Sequence, residues 1–453
     1  MTGESAIASR AGIAIGGLAL AALSEDTVIA AKVHLLDCIG LIIAGNGDER
    51  VERMRRAVGS TDPAFVMSVA CGVLGLDDFD EATRAHPGAV LVPALIASAL
   101  SSSRAVTGAD LIAALVAGYQ LFGGLGRAAD AGQLHLRGQH PSAFLGVPSA
   151  AGAIARLHGM PAAVCGNAIG IGASFSFGIT EFDPQETMRT VQTAWAASAG
   201  LRAAGLAMAG VVPSPMALEA PGGLLGRSAA PAGSVPPDSI DLMGGTVAIE
   251  RVSFKPYPHF SDLHPVTAVL IELLGARRLH PDEIERIAVR LTPRAGSRLF
   301  DGLPPRSTKE AKRSARFALA SCVVQAHRTG NGAALLGAFT AERLTDDDVL
   351  AVASRVDVVL DLPEGGPSGA VELTLADGST VAMEANGYPG DGRDPSLRWG
   401  WAEASVRFTE LCASTPDTIV GIGLHDLVED LDQVDDVRPA LRELERLVAV
   451  KRS

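Results

Sequence analysis

Through the first half of the chain, apolar or small residues recur at intervals of three and four, the spacing of helices that bury a face. VIAAKVHLLDCIGLIIAG, PALIASALSSS, GADLIAALVAGYQLFGGLG, SAFLGVPSAAGAIARLHG and TVQTAWAASAGLRAAGLAMAG read as helices. Several are apolar nearly all round, which places them at the centre of a helical assembly. APAGSVPPDS, rich in Pro, Gly and Ser, reads as a linker. Beyond it the period falls to two. TVAIERVSF, ERIAVRLTP, RVDVVLDL and VELTLADGSTVAMEA predict strands, the last a hairpin turning at its Asp-Gly. PVTAVLIELLGA and TKEAKRSARFALASCVVQAHR, and near the end ASVRFTELCAS and VRPALRELERLVAVKR, are helical in period. The pattern predicts a mainly α chain with an α+β second domain. The helical domain covers residues 1–250, the mixed domain 251–395, and a helical C-terminal segment 396–453.

His-Pro stands in front of an apolar helical run three times, at His86, His140 and His264, in a chain with ten histidines. Proline fits the first helical turn and pushes the preceding residue out of the helical region, so each histidine is expected at a helix start. The unpaired N–H groups there carry roughly +0.5 of a charge, attract anions and disfavour imidazolium. Such a histidine is expected to be neutral at pH 7 and able to accept a proton. A fourth copy, His280-Pro281, is followed by charged residues and reads as a surface turn.

With 453 residues, 47% apolar and 20% charged, the composition is that of a packed globular protein of about two domains. Fifty glycines and 4% aromatics point to helices in close contact through small side chains. A formal charge of −13 argues against nucleic acid and anionic membranes as partners. The five cysteines form no CxxC pair and read as buried thiols in a reducing compartment. GIAIGGLALAAL has an apolar core but no clear basic start or cleavage site, so it reads as a buried helix of a cytoplasmic protein.

Three polar clusters carry candidate chemistry. LGLDDFDEATRAHPGA sets Asp77 and Asp78, with Arg84, before His86, where a carboxylate can orient an imidazole or share its proton. LHLRGQHPSA places Arg137 beside His140, and SFKPYPHFSDLHPV supplies Lys255, Tyr257, His259 and His264 at the start of the mixed domain.

Taken in order along the chain, these segments resemble the MmgE/PrpD family, which includes 2-methylcitrate dehydratase, cis-aconitate decarboxylase and iminodisuccinate epimerase. LDD…HPGAVLVPA is similar to its acidic-loop and His-Pro motif, GQHPSAFLGVPSAAGAIARLHG to its Gly-Trp-His-Pro motif, and NAIGIGAS to its Asn-Ala-Leu-Gly-Ile motif. KPYPHFSDLH and EAKRSARFALA resemble its Lys-x-Tyr-Pro and Ala-Lys-x-Ser segments. The resemblance implies a helical domain built from both chain ends, an α+β lid, a homodimer, and no required metal or organic cofactor. Its functional positions fall on Asp77 or Asp78, His86, His140, Lys255 and His264. Gln139 stands where the family has tryptophan, Arg189 where it has a lysine, and His259-Phe260 where a cysteine follows Tyr-Pro. Arginine keeps the charge but does not give up a proton.

The chemistry so implied is proton transfer on the carbon α to a carboxylate of a small di- or tricarboxylic or hydroxy acid, read first as a dehydration, with epimerisation and decarboxylation as alternatives. His86 and His140 form the expected proton-transfer pair. Lys255, Arg189, Arg84 and Arg137, with Tyr257 and His259, are the substrate-binding candidates. A hydrolytic metal held by Asp77, His86, His140 and His264, and an inactive scaffold, are the competing readings.

Overall fold

The computed structural model describes residues 6–130, 134–180, 187–228, 241–245, 247–277, 279–413, 415 and 418–449. They are mostly helical, with one small sheet, and divide into two compact units. One holds the described residues before Phe254 and from Trp399 onward; the other is Phe254–Arg398.

The first unit contains α1 (Ile7–Gly16), α2 (Glu25–Gly45), α3 (Glu49–Val58), α4 (Pro63–Val73), α5 (Pro87–Ser101), α6 (Gly108–Ala128), α7 (Pro141–Leu157), α8 (Ala162–Phe175) and α9 (Thr187–Met208). Helix α7 is buried along its whole length and packs on α5, α6, α8 and α9. Helices α2 and α6 are apolar and long enough to cross a bilayer, yet most of their residues are buried among the other helices. Small residues set the crossings. At Gly12 of α1 a Cβ would lie 2.5 Å from the Ala162 carbonyl oxygen of α8.

Helix α5 carries Pro93 in its interior, which leaves the Ala89 carbonyl without its helical donor. Ser68 of α4 replaces that donor, its Oγ donating to the Ala89 oxygen at 2.6 Å. The amphipathic α3, the helix α4, and a late helix over Thr418–Glu429 are additions to the expected set. The apolar GIAIGGLALAAL is α-helical only to Gly16; Leu20–Ala22 form a 3-10 turn, and the residues beyond Gly16 are half-buried or exposed.

The second unit contains α10 (His264–Arg277), α11 (Ala315–Thr329) and a sheet of β1 (Ile284–Arg290), β2 (Val356–Val359), β3 (Gly369–Leu375) and β4 (Thr380–Ala385). Its order is β2-β1-β3-β4, with β1 and β2 parallel and the other pairs antiparallel. The expected hairpin is β3–β4, paired from Gly369 with Ala385 to Thr374 with Thr380. Leu270, Phe317, Leu319, Ile287, Val289 and Leu373, all fully buried, join the two helices to the sheet.

TVAIERVSF is not a strand: Ala248–Arg251 is a 3-10 turn and only Ser253 makes a bridge, to Phe79. Its alternation serves packing in the first unit, where Ile249 is buried and its carbonyl meets His34. The APAGSVPPDS segment lies outside the described residues. The chain end returns to the first unit as α12 (Trp401–Ala413), α13 (Thr418–Glu429) and α14 (Arg438–Val448), with α12 against α2.

Candidate active site

His86 and His140 are the N-caps of α5 and α7, each followed by proline at the first helical position. His264 is the first residue of α10 and takes helical angles, φ −59° and ψ −42°, because a 3-10 turn over Ser261–Leu263 runs directly into it. His280 precedes a 3-10 turn and caps it, the surface role expected of it. The starts of α5 and α7 adjoin, since the His86 N–H donates to Ser142 Oγ of α7 at 3.0 Å.

The acidic loop between α4 and α5 turns back on itself through hydrogen bonds from Arg84 N to Asp80 O and from Asp80 N to Ala85 O. Asp80 organises this turn by accepting from Thr83 Oγ1 and Ala82 N, and burial raises its carboxyl above the usual range. Arg84, at φ 57°, lies 3.5 Å from Glu81 and over the Phe79 ring.

The two aspartates left open as alternatives have separate jobs. Asp78, fully buried, accepts from Gly88 N at 3.0 Å and from Tyr119 Oη at 2.6 Å, and lies 3.3 Å from His34 Nδ1. Its carboxylate thus fills the anion-attracting mouth of α5, where a ligand anion was expected. Tyr119 is held well above the ordinary phenol range by burial and then by the Asp78 charge, so it remains a donor.

Asp77, also fully buried, turns the other way. Its Oδ2 is 3.0 Å from His86 Nδ1 and 3.1 Å from Arg189 Nη1, and Arg189 Nη2 donates to Gly72 O at 3.0 Å. His86 Nδ1 is also 2.7 Å from the Asp78 carbonyl. A carbonyl oxygen only accepts, so Nδ1 carries the proton and Nε2 of the neutral ring holds the lone pair. In that tautomer Nε2 is the ring nitrogen with a lone pair to accept a proton, and the Asp77 carboxylate lies beside Nδ1.

A third buried acid, Asp37 of α2, accepts from Arg407 Nε of α12 at 3.0 Å, and Arg407 Nη2 reaches the Leu76 carbonyl at 3.5 Å. Burial raises the Asp37 carboxyl above its usual range, and the Arg407 charge opposes that rise. His34, Asp37, Tyr119, Ser142 and Arg407 were not among the expected residues. Their polar side chains within the apolar VIAAKVHLLDCIG were the available signal for His34 and Asp37; Arg407 had none.

The other candidates take varied places. Arg137 is exposed and donates to the Ser228 carbonyl. Arg189 was expected to hold a substrate carboxylate; its two Nη groups instead meet Asp77 and Gly72, because a fully buried carboxylate draws the nearest guanidinium.

Lys255, Tyr257, His259 and His264 belong to the second unit. Lys255 is half-buried, while His259 and His264 are 1% and 0% exposed. His259 meets Thr267 Oγ1 through Nε2 at 3.1 Å, and burial lowers its pKa to about 3. His264 sits edge-on to Tyr257 and Tyr388, its Nε2 3.3 Å from the His259 carbonyl. Its pKa is well below the ordinary value, by burial first and then by the charges of His259 and Lys255. The neutral state expected from a helix dipole is thus reached by desolvation. In this arrangement these two histidines expose no surface to a ligand.

Among the described residues, one set of histidine and carboxylate atoms falls within 4.8 Å, His425, Asp426 and Glu429 of α13. The proposed metal ligands are not in it, and a guanidinium already occupies the shared oxygen of Asp77.

Residues 14–231 match the MmgE/PrpD N-terminal domain, and that span includes Asp77, His86, His140 and Arg189. Residues 14–231 thus carry an MmgE/PrpD N-terminal domain. It is 30% identical over 213 residues to the cis-aconitate decarboxylase-like protein oryM of Aspergillus oryzae, covering 42% of this chain and 44% of that protein. It is 26% identical to cis-aconitate decarboxylase of Homo sapiens over 74% of this chain and 69% of that one. For cis-aconitate decarboxylase of Mus musculus the identity is 25% over 93% and 90%. The chain thus matches less than half the length of the oryM protein. The acidic loop and two His-Pro helix starts lie within the matched span and within one compact unit.

Proposed function

We propose that the chain is a cofactor-independent lyase acting on a small di- or tricarboxylate, with His86 Nε2 exchanging the proton on the carbon α to a carboxylate. The observation that carries this is the fixing of His86 Nδ1 between the Asp78 carbonyl and the Asp77 carboxylate. In decarboxylation the bond from the α-carbon to a carboxylate breaks and CO2 leaves with neither electron of the bond. The pair stays on the α-carbon, delocalised into a conjugated carboxyl group, and takes a proton from Nε2 of His86, which water protonates before each turnover. That step needs one proton donor and no acid for a departing hydroxyl. The names of the relatives favour it.

Dehydration is the second reading, favoured by the second half-buried histidine, His140, at the adjoining helix start. One histidine would take the α-proton and the other protonate the leaving hydroxyl. Lys255, in the second unit with His259 and His264, is kept as a carboxylate-binding candidate. A soluble, cytoplasmic homodimer belongs to the same proposal. Its support is an exposed apolar set, Phe177, Ile179, Trp195, Val211 and Val212, suited to a second copy.

The test is purified protein with cis-aconitate, citrate-like and tartrate-like acids, following CO2 and product by NMR. CO2 release with a singly decarboxylated product supports the lyase reading. Loss of water without CO2 supports the second reading, and no turnover of any carboxylate overturns both.

A further inference from the structure

We infer that Gln192 is a positioning residue for His140, acting through the backbone of Ile179, so that one turn of α9 holds both histidine-bearing helix starts. The inference rests on the proposed proton-transfer role of His86 and His140. Gln192 is 7% exposed and spends both halves of its amide on one residue. Ile179 N donates to its Oε1 at 2.6 Å, and its Nε2 donates to Ile179 O at 3.0 Å. A side chain thereby takes the place of a neighbouring strand.

The opposite edge of the same segment holds the start of α7. His140 N donates to Gly178 O at 3.2 Å and Thr180 N to Gly138 O at 2.9 Å, with Gln139 and Ile179 as the bridged pair. Residues 178–180 are thus clamped between the Gln192 amide and the backbone of residues 138–140. Gly178, at φ +146°, makes the approach possible. A Cβ there would lie 2.7 Å from Ala143 Cβ and 3.1 Å from His140 Cβ. Arg189, one helical turn before Gln192, meets Asp77, the partner of His86. The same turn therefore reaches both members of the proposed proton-transfer pair, Gln192 through Ile179 and Arg189 through Asp77.

The experiment compares wild type, Gln192→Met and Gln192→Glu in ring-labelled histidine samples, with the His140 resonance assigned by its loss in His140→Asn. Methionine keeps the volume and removes both hydrogen bonds. Glutamate keeps the acceptor for Ile179 N and sets a second acceptor against the Ile179 carbonyl. Both variants are expected to shift the His140 resonance and its titration while the His86 resonance holds.

On substrate, kcat is expected to fall about 10- to 100-fold in Gln192→Met, and less in Gln192→Glu, with KM within about threefold. A folded variant of either kind with wild-type kcat and an unmoved His140 resonance overturns the inference. The resonance shift is read without substrate, so failure of the lyase reading, seen as an inactive wild type, is a separate outcome.

Discussion

Arg189 Nη1 and His86 Nδ1 share one oxygen, Oδ2 of Asp77, at 3.1 and 3.0 Å. Arginine at this position holds the aspartate that holds the histidine. Arg189→Lys should keep the charge but lose one of the two contacts, those to Asp77 and Gly72, and lower kcat by up to about tenfold. Arg189→Met should lower it by more than about 100-fold, since the buried Asp77 then loses its guanidinium. A rise in KM with kcat unchanged in both variants would show instead that Arg189 binds substrate.

Asp78 caps α5 with a carboxylate and receives Tyr119. Asp78→Ala removes the cap and leaves the phenol without its acceptor, a loss of about 2–4 kcal/mol from the two effects together. Tyr119→Phe should cost about 1–2 kcal/mol. Urea denaturation of the three proteins checks the ranking.

Arg407→Met leaves Asp37 without its cation in the interior, at a cost of about 3–5 kcal/mol near pH 8. Burial already raises the Asp37 carboxyl, and loss of Arg407 raises it further. A raised carboxyl in the folded state means that stability is lost as pH rises through the folded pKa and regained as pH falls towards the unfolded one. The deficit of Arg407→Met relative to wild type should therefore shrink on acidification, and Arg407→Met with Asp37→Asn should recover much of it at pH 8. A deficit independent of pH would contradict the assignment.

His259 titrates at about 3 in the folded chain, and His264 well below the ordinary value. Unfolded histidines take up protons near ~6.5, so stability is fully present above that pH and falls below it, by about 1.4 kcal/mol per pH unit for each group. His259→Gln should flatten the acid limb of the stability curve by one group's slope. Denaturation at several pH values between ~4 and ~7 measures it.

The helices with small or apolar periodicity and the Asp-Gly hairpin were legible because period and turn chemistry are local. TVAIERVSF failed because its alternation reflects contacts with His34 and Phe79 of the first unit, not strand pairing. His-Pro correctly marked the starts of α5, α7 and α10. It could not tell a histidine turned to a buried aspartate, His86, from one enclosed by tyrosines, His264. Nor could spacing separate Asp77 from Asp78, adjacent residues whose partners, Arg189, Tyr119 and His34, come from α9, α6 and α2. The acid Asp37 and its cation Arg407 stand 370 residues apart and meet only because α12 packs on α2.

The most direct test of the central claim is turnover in deuterium oxide. Wild type and His86→Ala are incubated with cis-aconitate and the related carboxylates, and products and recovered substrates are examined by NMR. Delivery of the α-proton by His86 predicts one deuterium on the α-carbon of the wild-type product and a rate at least about 1,000-fold lower in a folded His86→Ala protein. A His86→Ala protein that incorporates deuterium within about tenfold of the wild-type rate would contradict the account.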